Sequence, residues 1–444
     1  MTKKTLKQEG LLKLVAAAKA GMAKRGLVSR FEMEAEEAKR LVGQSVMDKR
    51  LADLPPEDTT PKRCPLCGKE TRVRKKAVPR TFTSLSGTHG ELSMELEQRV
   101  VDVVLLLPPN EAAVHWNFLH PSHPVSDNQF RQVAKRVGAM ADEADAHLLQ
   151  SALLPPEEAP SETVYFMSDG GMLLLRAAHE AIEAQLGKGW REMKLGMAFR
   201  HESHVRGDTV TRGVLSQARY VGDFSQDKFK EQLKAAVDLE CAAGAKRVVY
   251  VADGAPENWV VAEAIRPGAL QILDWYHAVQ NVMAFGKKLL GEEDAVCLKI
   301  WKQTSETLLA QGQVDELVRQ LMGTLEDCNG EQLGALDDII HYLRNNQSRM
   351  DYPRYRGMGL LIGSGPIESA QRHVIQNRMK RSGQRWSEKG ARQMARMRAA
   401  LKTCGPERLY RAVHWAYRET CANRKALNNL HAARKPQKRR ASNA

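Results

Sequence analysis

Long apolar runs are absent from this chain of 444 residues, and none approaches the roughly 18–20 residues that a membrane-spanning helix needs. The first ten residues, MTKKTLKQEG, also lack the apolar segment of a signal peptide. Cysteine is scarce: the seven cysteines are an odd number and stand mostly alone, which is typical of a reducing compartment. These absences predict a cytoplasmic protein with no membrane partner.

Acidic residues are outnumbered, and the net charge of +14 is concentrated in three segments. Residues 61–80 carry +7, residues 371–402 carry +9 and residues 424–444 carry +7, so the rest of the chain is acidic. A single basic cluster is most often a solvated surface. Three clusters on an acidic remainder favour a polyanion as partner, with nucleic acid as the default.

The first part of the chain predicts an N-terminal helical region over residues 1–60 and a candidate DNA-binding region over residues 61–155. Cys64 and Cys67, followed by Gly68, have the spacing of a zinc knuckle. Zinc needs four ligands, however, and no second cysteine pair follows. A vestigial knuckle and a plain turn with two thiols are therefore alternatives to a Zn²⁺ site completed by histidine, and a thioredoxin-type redox role is a weaker one. The candidate histidines are His89, His115, His120 and His123.

Local patterns inside and just after this region predict its elements. Residues 80–107 contain β-prone pieces, TFTSL and ELSMELEQRVVDVVLLL, and residues 126–150 predict one capped helix. The proline-rich residues 151–160 mark the main domain boundary.

After that boundary the pattern becomes that of a layered α/β domain. The order is three strands (163–173, 189–200, 213–224), a helix (225–245), a strand (246–254), a helix, and a short strand running into a helix (269–282). This order predicts a sheet of mixed direction. We divide the rest of the chain into a core (160–287), an all-helical insertion (288–350), the final core helices (351–402) and a basic C-terminal tail (403–444), with disorder expected from Asn423.

Three acids are candidates for one site. Asp169 lies on the first strand, Asp253 ends the fourth, and Glu368 lies on a helix that Ser364 is expected to cap and that soon becomes basic. The first and fourth strands of such a sheet can lie side by side, so these acids could converge. Each acid alone is more often a turn or cap residue. Clustered carboxylates repel one another unless a divalent cation neutralises them, and Mg²⁺ prefers carboxylate oxygens. Together the acids predict metal-assisted phosphoryl transfer.

Five motifs occur in order along the second half of the chain: SDGG at 168–171, GWREMKLG at 189–196, VADGAPENW at 251–259, ILDWYHA at 272–278, and GSGPIES with NRMKRSGQRW at 363–369 and 377–386. With the helical insertion before Glu368, they resemble the RNase H-like catalytic domain of DDE transposases. More specifically, they resemble bacterial insertion-sequence transposases of the ISKra type, distant relatives of the Mutator group. The resemblance covers roughly residues 160–400.

The resemblance implies that Asp169, Asp253 and Glu368 are catalytic acids that bind Mg²⁺ or Mn²⁺. It also implies nicking at transposon ends, followed by attack of the freed 3′-hydroxyl on target DNA. The expected partners are double-stranded DNA and further copies of the chain, because two transposon ends must be brought together. On this interpretation the protein associates with the nucleoid when it binds DNA.

Further residues take roles from the same resemblance. Asp274 and His277 match an acid-x-x-His signature of Mutator-like relatives and are expected to support the site, although a purely structural hydrogen bond is an equal alternative. The expected DNA contacts are Arg378, Lys380, Arg381, Arg385 and Trp386, with a core position open for Trp386.

The chain departs from the family in one respect. Relatives usually carry a second Cys-x-x-Cys, and residues 91–125 contain no cysteine. The zinc module therefore stays open. Two other functions also stay open: a structure-selective nuclease on the same core, and an inactive DNA-binding protein descended from a transposase.

Overall fold

The computed structural model describes residues 82–84, 87–92, 94–121, 124–176, 189–206 and 213–434, and the chain divides into two compact units after Ala134. The helices expected over residues 1–60, the pair Cys64 and Cys67, and His123 lie outside the described residues. The zinc prediction therefore stays a prediction.

The first unit contains strands β1 (Phe82–Ser84) and β2 (Gly87–Leu92), which pair antiparallel, and helices α1 (Met94–Leu106) and α2 (Pro109–Leu119). The prediction of β structure after residue 93 is wrong, because α1 occupies it. Its apolar residues recur at helical spacing and are buried, and this period outweighs the β propensity of valine. They are Leu96, Val100, Val101, Val104 and Leu105.

The single helix predicted for residues 126–150 is two helices. The first, α3 (Asp127–Glu143), crosses the boundary between the units, and the second is α4 (Ala146–Leu153). The Asp145 carboxylate accepts a hydrogen bond from Leu148 N at 2.9 Å, so a new helix begins there.

The second unit is built on a sheet formed entirely by residues 161–273. Its elements are β3 (Ser161–Leu174), β4 (Trp190–Arg200), β5 (His204–Arg206), β6 (Gly213–Leu215), β7 (Arg219–Asp223), α5 (Gln226–Glu240), β8 (Ala245–Ala252), α6 (Pro256–Ile265) and β9 (Leu270–Leu273). The main sheet has the order β7-β4-β3-β8-β9, with β3, β4 and β7 antiparallel and β3, β8 and β9 parallel. The prediction of a mixed α/β sheet is confirmed.

Strand β3 is the centre of this sheet. Its parallel register with β8 runs from Ser161 opposite Ala245 to Met167 opposite Val251. Continuing that register by two residues brings Asp169 level with Asp253, so the expected adjacency of the first and fourth strands is confirmed. The strand predicted over 213–224 is only partly correct, because β6 pairs with β5 in a separate hairpin and only β7 joins the main sheet.

Apolar side chains of β3 and β8 pack against α5 and α6. Phe166 and Tyr250 lie 4.7 Å apart between ring centroids, and both are fully buried with Phe229 and Leu233 of α5. This layer supports the part of the sheet where β3 pairs with β8, close to Asp169 and Asp253.

Every regular element after β9 is helical in the described residues. The helices are α7 (Trp275–Leu290), α8 (Ala295–Ala310), α9 (Val314–Met322), α10 (Gly330–Asn346), α11 (Tyr352–Gly357), α12 (Gly365–Ala370), a π-helical turn (Gln371–Gln376), α13 (Asn377–Met379), α14 (Glu388–Cys404) and α15 (Pro406–Arg434). Residues 288–350 therefore contain helices and turns and no strand. In the part of the chain that the structure describes, no helix has the length and apolarity needed to cross a bilayer.

The expected disorder from Asn423 is wrong up to Arg434, because α15 continues through it. The first turns of α15 bury Leu409, Tyr410 and Val413. Packing of these turns nucleates the helix, and good helix formers extend it beyond the buried part.

Candidate active site

Asp169 lies in β3 opposite Leu195 of β4, and its Oδ1 accepts a hydrogen bond from Gly170 N at 2.7 Å. Burial raises the pKa of the Asp169 carboxyl above its ordinary value of 3.8. The charges of Asp253 and Glu368 raise this pKa further, whereas the Gly170 hydrogen bond and His277 lower it. All three predicted acids therefore lie close enough to interact electrostatically.

Asp253 directly follows β8, where the chain turns into α6. Its Oδ1 accepts hydrogen bonds from Ala255 N at 3.1 Å and from Asn258 Nδ2 at 2.7 Å, so the turn orients this carboxylate. The next residue, Gly254, has a φ of +97°, a left-handed conformation that favours glycine.

Glu368 is exposed on α12. Ser364 occupies the predicted N-cap position, but its hydroxyl does not cap the backbone of α12. Ser364 Oγ instead donates a hydrogen bond to Glu368 Oε1 at 3.1 Å. The serine therefore orients the acid.

Asp274 is completely buried and caps α7. Its Oδ1 accepts from the backbone N–H groups of Tyr276 and His277 at 2.5 and 3.0 Å, and its Oδ2 accepts from Ser364 N. His277 Nδ1 lies 3.6 Å from the same Oδ2. Burial alone would raise the pKa of Asp274, but the hydrogen bonds from His277 and Ser364 lower it. Asp274 thus joins the start of α7 to the loop that carries Glu368.

One group of possible metal ligands stands out among the described residues. Ligand atoms of Asp274, His277 and Glu368 all lie within 4.8 Å of one another and could hold a metal ion. This spacing groups Glu368 with Asp274 and His277 rather than with Asp169 and Asp253.

The acids differ in how many of their carboxylate oxygens already accept hydrogen bonds. Asp169 Oδ1, Asp253 Oδ1 and Glu368 Oε1 accept hydrogen bonds, while the second oxygen of each has no hydrogen-bond partner among the described residues. Asp274, by contrast, uses both oxygens. The three predicted catalytic acids each retain an oxygen for a cation, and Asp274 is suited to holding the scaffold.

The expected DNA-binding residues fall into two groups. Arg378 is 1% exposed, and its guanidinium lies 5.4 Å from the ring centroid of Trp386, so neither side chain is presented outward as an exposed contact would be. Lys380, Arg381 and Arg385 are exposed. They belong to residues 380–386, which we term the basic loop.

Trp386 attaches the basic loop to the strand that carries Asp169. Its backbone N–H donates to Leu174 O at 3.1 Å, and its carbonyl accepts from Arg176 N at 2.6 Å. Its ring Nε1 donates to Met379 O at 3.0 Å. A core role for Trp386, which the sequence left open, is thus the one these contacts favour.

The basic segment 371–402 is not one cationic surface. Arg392 makes a two-pronged contact with Asp142, with N–O distances of 2.9 and 2.8 Å, and Arg396 Nε lies 3.0 Å from Asp223 Oδ2. Arg398 is buried and donates to the carbonyls of His373 and Val374 in the π-helical turn. Several of the cations therefore stabilise the interior instead of facing a partner.

Sequence reasoning missed several residues around the acids. Gln371 is buried and its Nε2 donates to Asp169 O at 3.1 Å, and Tyr342 donates its hydroxyl to Asp253 O at 3.0 Å. Asn258 lies inside the VADGAPENW motif, which could have pointed to it. Tyr342 lies in the helical insertion, and no local pattern marks it.

Neither a protein-family model nor a curated protein matches the chain.

Proposed function

We propose that the protein is a DNA transposase that uses Mg²⁺ or Mn²⁺ to cleave transposon ends and to join them to target DNA. The observation that carries this proposal is the proximity of the acids: strand register brings Asp169 level with Asp253, and the charges of Asp253 and Glu368 both act on Asp169. Glu368 also lies within 4.8 Å of ligand atoms of Asp274 and His277, the group that could hold a metal ion. In this proposal the sheet is an RNase H-like core. The order of three antiparallel strands followed by two parallel ones supports that assignment, with an acid on the central strand and another after its parallel neighbour.

The donor set fits a hard divalent cation. Asp169, Asp253 and Glu368 offer carboxylate oxygen atoms, which Mg²⁺ and Mn²⁺ prefer. The candidate ligand group around Glu368 adds the imidazole of His277, which is a softer donor. The pKa of Asp169 is raised by burial and by the neighbouring charges of Asp253 and Glu368, which is the repulsion that a cation would relieve. A bound cation would stabilise the charge that develops on the attacking and leaving oxygens of the phosphate.

The chain's own residues orient the reaction. In the first step the oxygen of water bonds to phosphorus at the transposon end and the bond to the 3′-oxygen breaks, which leaves a 3′-hydroxyl and a 5′-phosphate. In the second step that 3′-hydroxyl attacks a target phosphate and displaces a target 3′-oxygen. Asn258 and Ser364 hold two of the acids in place for both steps, and His277 offsets part of the negative charge beside them.

The basic loop is suited to hold the DNA backbone. Leu174, to which the loop is attached, lies five positions after Asp169 along β3, and at about 3.4 Å per residue this spans about 17 Å. The exposed Lys380, Arg381 and Arg385 would then contact phosphates about five nucleotides from the cleaved bond, given the rise of about 3.4 Å per nucleotide.

A nicking assay tests the proposal. Wild type, Asp253→Asn and Glu368→Gln are compared on supercoiled plasmid with Mg²⁺, and Asp238→Asn, on the surface of α5, is the matched control. We expect both site variants to bind DNA but to cut at least about 100-fold more slowly, because each loses a charge that the cation needs. Equal cutting by all four proteins would contradict the proposal.

A donor with terminal inverted repeats separates the transposase from its two rivals. Joining of donor ends to a target plasmid would support transposition. Nicking without any joined product would favour the structure-selective nuclease. Salt-dependent binding with no cutting of any substrate would favour the inactive DNA-binding protein.

A further inference from the structure

Tyr342 of the helical insertion reaches across to the acid that ends β8. It lies on α10, and its hydroxyl donates to the backbone carbonyl of Asp253 at 3.0 Å. Burial raises the pKa of Tyr342 above its ordinary value of 10, so the hydroxyl keeps its proton at neutral pH and remains a donor. The contact joins residues that are 89 positions apart in the chain.

The ring of Tyr342 also packs closely on the turn after Asp253. A Cβ built on Gly254 would lie 2.8 Å from Tyr342 Cε2 and 2.7 Å from Leu273 Cδ1. The absence of a side chain at Gly254 therefore lets α10 approach the backbone at this point.

Two further contacts bring the insertion against α6, the helix that follows the turn: one from Asn346 of α10 and one from Arg349, which lies just after α10. Asn346 lies one turn beyond Tyr342, donates to Tyr342 O at 3.0 Å and accepts from Trp259 Nε1 at 3.1 Å. The guanidinium of Arg349 lies 4.4 Å from the Trp259 ring centroid. The insertion therefore holds the turn from both of its ends.

Tyr342 borders open space on one side. It lines a cavity of about 350 Å³ between α7 and α10, together with Asn281, Phe285, Asp338 and others. The Tyr342 hydroxyl also forms a hydrogen bond with the Asn281 side chain of α7, so it links both α7 and Asp253 to α10.

We infer that Tyr342 is a positioning residue for Asp253, and that the helical insertion thereby sets the geometry of one metal-binding acid. This inference rests on the proposed function. It gives the insertion a role in the chemistry in addition to any contact it makes with a partner.

The test compares Tyr342→Phe with Tyr355→Phe, which loses a similar bond elsewhere. The Tyr355 hydroxyl donates to Ser348 O at 3.4 Å, a local contact within seven residues. The Mn²⁺ concentration for half-maximal nicking is measured for both variants and for wild type, along with the Kd for DNA and the thermal midpoint. Binding of Mn²⁺ to each protein without DNA is measured by electron paramagnetic resonance.

We expect Tyr342→Phe to need about three- to tenfold more Mn²⁺, the range that one hydrogen bond supplies, with an unchanged Kd for DNA. Tyr355→Phe should match wild type in its Mn²⁺ dependence. An unchanged Mn²⁺ dependence of Tyr342→Phe would overturn the inference. An equal shift in Tyr355→Phe would also overturn it, because the effect would then be general loosening.

Failure of the proposed function can be distinguished from failure of the inference about Tyr342. If wild type cuts no DNA, the proposed function fails, and Mn²⁺ binding still tests the inference. Weaker binding by both Asp253→Asn and Tyr342→Phe than by wild type would support it. Weaker binding by Asp253→Asn alone, or by neither variant, would overturn it.

Discussion

Ser364 uses its two donors on two different carboxylates. Its backbone N–H donates to Asp274, and its hydroxyl donates to Glu368 Oε1 at 3.1 Å. The cap of α7 and the acid on α12 are therefore held by one residue. This explains why a serine in an N-cap position makes no hydroxyl cap.

Replacement of Ser364 by alanine removes the hydroxyl and leaves the backbone contact. We predict that Ser364→Ala lowers the rate of metal-dependent nicking about three- to tenfold, because Glu368 loses an orienting hydrogen bond. The exposed Ser369→Ala, on the same helix, is the control and should cut like wild type. Wild-type rates in Ser364→Ala would show that the backbone alone places Glu368.

Gly254 combines an unusual conformation with a close approach. We predict that Gly254→Ala lowers the free energy of unfolding by about 2–5 kcal/mol, through left-handed strain and overlap with Leu273 and Tyr342. Gly268→Ala is the control: its φ is +74° and no atom lies within 4 Å of the added carbon, so it should lose only about 1–2 kcal/mol. Urea unfolding measures both, and equal losses would show that the overlap relaxes freely.

At the scale of elements, buried ion pairs join α14 to the sheet and to α3. Arg392 and Arg396 contact Asp142 in the last turn of α3, and Arg396 also contacts Asp223, which ends β7. Burial alone would raise the pKa of Asp142, but the hydrogen bond from Arg392 and the charges of Arg396, Arg392 and Lys228 lower it below 3.8.

The lowered pKa gives this junction a pH dependence. The folded protein holds Asp142 ionised more strongly than the unfolded chain does, so its stabilisation is complete above 3.8 and is lost as pH falls through the lower folded-state pKa. We predict that Asp142→Asn loses about 1–3 kcal/mol at pH 7 and that its deficit narrows below pH 3.8.

The exposed pair Lys234–Asp238 gives the control for that measurement. Asp238→Asn should change the free energy of unfolding by less than about 1 kcal/mol, because surface pairs contribute little. Urea unfolding at pH 7 and near pH 3 tests both variants. A deficit of Asp142→Asn that stays constant with pH would mean that the carboxylate charge is not the cause.

Much of the sheet could be predicted from sequence because its signals are local. Runs of β-branched and aromatic residues predicted β3 and β8, with Asp169 inside the first strand and Asp253 at the end of the second. Helix α1 was predicted as strand because valine composition was weighed above its 3.6-residue period. The break before α4 was missed because Asp145 acts through a cap that composition does not mark.

The rest depends on contacts that no local pattern encodes. Two hydrogen bonds join segments that are far apart in the chain: one from Tyr342 to Asp253 and one from Trp386 to Leu174. The number of charges in a segment also does not distinguish a surface arginine from a buried one. Arg398 is buried and donates hydrogen bonds to carbonyls of the π-helical turn. Only tertiary packing determines whether such an arginine is exposed or buried.

At the scale of the whole molecule, the proposed function makes exposed cations more important for DNA binding than the total charge. We predict that Lys380→Ala with Arg385→Ala reduces the slope of log binding constant against log salt by about 0.9 for each phosphate that the loop no longer neutralises. The control is Lys246→Ala with Arg266→Ala, which removes the same charge near the amino ends of β8 and β9. These residues lie at the opposite end of the strands from the basic loop. The control should leave the slope unchanged in a titration of DNA binding. Equal effects would mean that DNA does not use the basic loop.

The sheet is formed by residues 161–273, whereas Glu368 follows roughly a hundred residues later. During synthesis the ribosome adds about 5–20 residues per second, so the strands can assemble about 5–20 s before the last acid is added. Under the proposed function, a nascent chain would therefore carry a folded sheet with two of its acids and no cutting activity. The chain would become able to cut DNA only when the late helices pack against the sheet, after most of the chain has been made.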